Sequence, residues 1–222
     1  MSDLNPESTC GTIVESTIMP FGSNVSLDER EDILLVIRYA HLVATSESEA
    51  PLFLDWFPNF RRKLSFLGWD ATPPPIVKLP GPSREQLVEK VLRGIGQVGS
   101  QEHVAETERS LWALQHDSAL RLRLETRMRE TDTKHIQFMP CVRRSGSYFD
   151  MVLFHLEATQ LDDYLNVLFA SHGEGLGLRA QSAELIRFNL RLFRDHHHQK
   201  VEKFVTSQDR QFIAKLIRYG SK

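Results

Sequence analysis

Near residue 133 the hydrophobic period of this chain changes from three or four to two, and that switch decides what it can fold into. In "HIQFMPCVRRSGSYFDMVLFHL", residues 135–156, Ile136, Phe138 and Val142 fall on one face of an extended chain. Gln137, Met139 and Cys141 fall on the other. Ser145-Gly146-Ser147 predicts a hairpin turn, and "YFDMVLFHLEAT" a second strand. "DYLNVLFASH" reads as a third strand, "GEGLG" as a turn, and "LRAQSAELIRFN" as a fourth. Helical patterns precede and follow this block. The predicted class is therefore α+β: N-terminal helices packed on an antiparallel meander of about four strands, followed by C-terminal helices.

The helical side of the pattern is well punctuated. Ser26 and Glu29 form a capping box for a helix over about 27–45, with "ILLVIRYAHLVA" apolar nearly all round. Leu52, Phe53, Trp56, Phe57, Phe60, Leu64 and Leu67 make an aromatic helical stripe. Pro58 is expected to kink or split it, and Gly68 to end it. "DATPPPIVKLPGP" reads as an extended linker. Ser83 and Gln86 cap a helix over about 84–98, and a long polar helix is expected from Gln101 to about Glu130. Asn189 caps a helix through "LRLFRDHHHQKVEKFV", and "QDRQFIAKLIRYG" reads as a last helix. Residues 1–25 are expected to form a tail, and 26–222 a single α+β domain with a Pro-rich linker near 70–82.

Bulk properties narrow the partners. A formal net charge of −2 argues against a general electrostatic grip on nucleic acid. No window approaches the apolar length of a transmembrane helix. The N-terminus lacks the basic and apolar regions of a secretory signal. Two cysteines, Cys10 and Cys141, make no disulfide framework. The expected home is the cytoplasm, with any export by a non-classical route.

Few residues invite chemistry. His196, His197 and His198 point about 100° apart on a helix, so they cannot meet one ion there. His197 is in register with Leu190, Phe193, Val201 and Phe204 and reads as a semi-buried packing histidine. No metal site is expected from the other histidines. "HGEGLG", residues 172–177, precedes a strand rather than a helix, so it reads as a tight turn and not a phosphate loop. Asp162, Asp163 and Glu174 lack calcium-loop spacing. Arg61-Arg62-Lys63 reads as a solvated basic face or an anion contact. Cys141 has Arg143 two residues on, on the same strand face, which would favour the thiolate modestly. From the residues alone the stronger reading is a small apolar filler.

The order of elements carries a resemblance. "DEREDILLVIRYAHLVAT", the aromatic helix ending "FLGW", the strand with "IQFMPC", the meander and the helix "LRLFRDHHHQKVEKFV" span roughly residues 26–205. In that order they resemble the bacterial family of the Erwinia virulence factor, Evf. The resemblance implies an α+β virulence protein whose cysteine carries a long-chain acyl group, such as palmitate, by thioester linkage in an apolar cavity. The matching residue is Cys141, and no cofactor is implied beyond that covalently bound fatty acid. Trp56, Phe57, Phe60, Met139 and Met151 are the side chains such a pocket would use as lining. This chain is shorter than the founding member.

Three readings stay open on the sequence. One is a non-enzymatic accessory protein that binds or carries an acyl group. Another is a protein-binding or assembly module in which Cys141 only packs. The last is a cysteine-dependent acyl-transfer enzyme with a histidine base, for which no elbow, triad spacing or oxyanion motif is visible. The first requires the sheet to be covered on both faces, because Cys141 lies opposite the more apolar one.

Overall fold

A computed structural model describes residues 9–48, 55–71, 77–78, 87–129, 134–161, 176–208 and 213–217. The strands are β1 (Thr9–Val14), β2 (Thr17–Pro20), β3 (Trp69–Ala71), β4 (Val77–Lys78), β5 (Lys134–Phe138), β6 (Cys141–Ser145), β7 (Tyr148–Leu161), β8 (Leu176–Asn189) and β9 (Ile213–Ile217). The helices are α1 (Leu27–Ser48), α2 (Trp56–Phe66), α3 (Leu87–Val98), α4 (Gln101–His116), α5 (Ser118–Arg129), α6 (Leu190–His196) and α7 (His198–Thr206). The class is α+β. One sheet runs in the order β3-β8-β7-β5-β2-β1-β9, with β4 also on β8 and β6 also on β7. The β2–β5 pairing is parallel, and the other strand pairs are antiparallel.

The sheet is covered on both faces, which strand parity makes visible. Met139, Cys141, Phe149, Met151, Leu153, Ile186 and Phe188 join a core with residues of α1, α2, α6 and α7. Ile136, Phe138, Val152, Phe154 and Leu156 join a second core with residues of α3, α4 and α5. The alternation read at 136–141 is therefore correct, and both of its faces are interior.

Several expectations are corrected. Residues 1–25 are expected to form a tail, yet among the described ones β1 and β2 are interior strands between β5 and β9. Each is too short to show a period, and their partners lie far away in sequence. Cys10 is buried, with its Sγ 3.6 Å from the Leu216 carbonyl oxygen. "FIAKLI" is strand β9 paired to β1, not helix. Among the described residues the sheet accordingly has nine strands rather than about four. The first predicted strand is two, β5 and β6, set end to end along β7 and parted at Met139–Pro140. Proline has no N–H for the ladder, and its carbonyl accepts from Val152 N–H at 3.1 Å.

Pro58 neither kinks nor splits α2. It stands in the first turn, where a backbone N–H has no helical partner to lose. Gly68, at φ +96°, does end that segment. The long helix from Gln101 is two, because Asp117 Oδ1 accepts from Leu120 N–H at 2.8 Å and restarts the chain as α5. Asp117→Ala is expected to cost about 1 kcal/mol, read as a lower urea midpoint with unchanged slope. The helix after Asn189 is also two, broken at His197. Asn189 Oδ1 caps it as expected, accepting from Leu192 N–H at 3.1 Å. Glu29 accepts from Ser26 N–H at 2.9 Å, as the capping box predicts. Parts of the Pro-rich linker form β3 and β4 on β8. The expected third strand at 163–172, Asp162, Asp163, Glu174 and the Ser83–Gln86 cap lie outside the described residues.

Candidate functional site

Cys141 begins β6 directly opposite Met151 of β7. Its carbonyl accepts from Gly22 N–H at 2.9 Å, and its side chain is fully buried. Burial pushes the thiol far above its ordinary range, and Asp150 adds to this. Arg30 and, more weakly, Arg143 act in the opposite direction. The Arg143 guanidinium pairs with Glu29, donates to the carbonyls of Asn24 at 3.0 Å and Gly146 at 2.7 Å, and lies over the Phe149 ring. The thiolate-favouring role expected of Arg143 is thus outweighed by desolvation. His155 stands four residues past Met151 on β7, about 13 Å away at the rise of a strand, so these two make no Cys-His dyad.

The other residues proposed for an acyl pocket share the Cys141 core. Phe60, Met139 and Met151 are buried in it, and Trp56 and Phe57 pack against its edge. The odd-numbered row Phe149, Met151, Leu153 of β7 runs from the Cys141 end toward the aromatic end of α2, with all three buried.

At that aromatic end is a cluster that sequence reading missed. Thr17 of β2, Gln137 of β5, His155 of β7 and Ser182 of β8 are successive partners across four strands. They form one polar rung on the α1/α2 side of the sheet. Thr17 Oγ1 donates to Gln137 Oε1 at 2.6 Å. Its only proton being so used, it must accept from His41 Nε2–H of α1, also at 2.6 Å. Trp56 stacks on His135 at 4.7 Å, Phe57 on His155 at 3.7 Å, and Trp56 on Phe60 at 5.1 Å. His135 and His155 lie 5.3 Å apart. Burial holds all three imidazoles neutral: His41 falls to about 3, His135 to about 4 and His155 to about 2. The parity of "HIQF" does place His135 with Gln137, but no local signal ties either to His41 or Thr17.

The charged residues singled out in the sequence are mostly paired. Arg61 makes two bonds to buried Glu184, one of them 2.6 Å. Arg62 and Lys63 both reach Glu47, at 3.2 and 2.6 Å. The histidine run diverges as expected. His198 reaches Asp32 at 3.1 Å beside Arg194, His197 lies against Phe66, and His196 is exposed. Among the described residues no group of three or more His, Cys, Asp or Glu could hold a metal ion. No described helix is long and apolar enough to cross a membrane.

Fold and core together define a three-layer α+β protein with a mostly antiparallel sheet. No family model and no curated protein matches the chain. Two solved structures are similar in layout. The structure of the Evf virulence factor has 8% identity and a TM-score of 0.39, covering 90% of this chain and 84% of that one. A delta-endotoxin has 12% identity and a TM-score of 0.44, covering 78% and 80%. The likeness to Evf read in the sequence is thus met by a weak likeness of shape.

Proposed function

We propose that this protein is a non-enzymatic carrier that houses a long-chain acyl group on the α1/α2 side of its sheet, attached to Cys141 as a thioester. The observation that carries this reading is the complete burial of Cys141 in one apolar core with Phe60, Met139 and Met151, at the head of the apolar row along β7. The surroundings that oppose a thiolate do not oppose a thioester, which has no charge to desolvate. They speak against a solvent-facing nucleophile and so against the enzyme reading. Burying the chain contributes about 0.8 kcal/mol per methylene. A chain held inside would not anchor the protein to a bilayer. The accessory role of virulence type implied by the sequence resemblance goes with this reading.

The second reading, an assembly module in which Cys141 is filler, draws on the same burial, because a free thiol packs as a small hydrophobe. Intact mass before and after hydroxylamine separates the two. Protein from its native host is expected to carry an added mass of fatty-acid size, lost with hydroxylamine and absent in Cys141→Ser. An unmodified chain whose Cys141→Ser variant differs only slightly in stability would leave the module.

A further inference from the structure

The polar rung poses an unmet hydrogen-bonding demand. With its oxygen taken by Thr17, Gln137 presents its amide nitrogen, which has no partner although the side chain is fully buried. His155 is 2% exposed, and neither ring nitrogen has a partner. Stacking on Phe57 covers a ring face, whereas the nitrogens bond in the ring plane. His135 Nδ1 is likewise buried and unpartnered. Buried groups of this kind ordinarily find partners, since each left unmade costs about 1–3 kcal/mol.

We infer that Gln137, His155 and His135 form a binding site for the hydroxyl of an uncharged long-chain molecule, whose hydrocarbon follows the β7 row past Leu153 and Met151. A neutral imidazole offers one donor and one acceptor, and the amide adds two donors. A hydroxyl, which both donates and accepts, matches that set. An ionised carboxylate or phosphate finds no cation in it. The nearby Arg61 is engaged by Glu184. Trp56, Phe57 and Phe60 supply an aromatic wall suited to an apolar body. This inference rests on the reading that the α1/α2 side takes a hydrocarbon chain, but not on the thioester.

The test uses the full-length Cys141→Ser chain, so that acylation plays no part. 1-Dodecanol, dodecane and dodecanoate at pH 8 are titrated against tryptophan fluorescence. Dodecanol is expected to bind about tenfold tighter than dodecane for each hydrogen bond gained, and tighter than dodecanoate. His155→Phe and Gln137→Leu should each remove about tenfold of that preference. In the chain with both residues intact, the 15N shifts of the His155 ring should move with dodecanol and not with dodecane, a readout independent of whether the variants fold. Equal binding of alcohol and alkane, or unmoved His155 shifts on binding, would overturn the hydroxyl site while leaving the hydrocarbon reading. Failure of all three probes to bind would overturn both the site and the hydrocarbon reading, with ordered water filling the rung.

Discussion

A chain that begins at Ser23 is expected not to fold. It lacks β1 and β2, which sit between β5 and β9 in the sheet. Ile13, Val14, Ile18, Met19 and Phe21 are at most 1% exposed. At about 1.5–3 kcal/mol for each buried side chain, those five contribute about 8–15 kcal/mol, comparable with the entire stability of a domain. The cut also removes Thr17, the link between His41 and Gln137. Circular dichroism with a urea titration checks this. The intact chain should show one cooperative transition and the shortened chain none. A shortened chain that melts cooperatively at a similar midpoint would mean that the hairpin is an appendage after all.

Mild acid should unfold the protein steeply. An exposed imidazole takes up its proton near pH 6.5. In the folded chain His135 does so only at about 4, His41 at about 3 and His155 at about 2, with burial the leading cause for each. His103, also lowered by burial, adds in the same direction. Between those limits the unfolded chain binds more protons, so stability falls as pH falls. It is complete above about pH 6.5. Each histidine contributes a slope of up to about 1.4 kcal/mol per pH unit, so the three together reach about 4 kcal/mol per unit near pH 5. The groups facing them include Glu157, opposite His135, and the paired Glu184 and Arg61. Urea midpoints at pH 7, 6 and 5 test the slope, and His155→Phe should reduce it by roughly one proton. A midpoint that stays constant from pH 7 to 5 would show that these rings are open to water.

What was legible in the sequence was local. Ser26 with Glu29 and Asn189 with Leu192 are contacts three residues apart, and their helix starts fall where the caps predict. The parity of 136–141 needed only a period of two, and Gly68 only its freedom at positive φ. The unreadable parts depend on distant partners. β9 reads as helix until β1 is known to lie beside it. Asp117 and His197 interrupt helices without glycine or proline, through side-chain and packing geometry. His41 lies in an apolar run that conceals its role, and only the fold sets it on Thr17. The strand position of Cys141 is legible from the period of two, but its distance from His155 follows from the break at Pro140 and the β7 register.

The pairing of Thr12 with Lys215 joins opposite ends of the chain. During synthesis at about 5–20 residues per second, β1 emerges about 10–40 s before β9 does. Its outer edge must wait bare through that interval, well within reach of other nascent chains. Slower translation lengthens that exposure and should yield more aggregate.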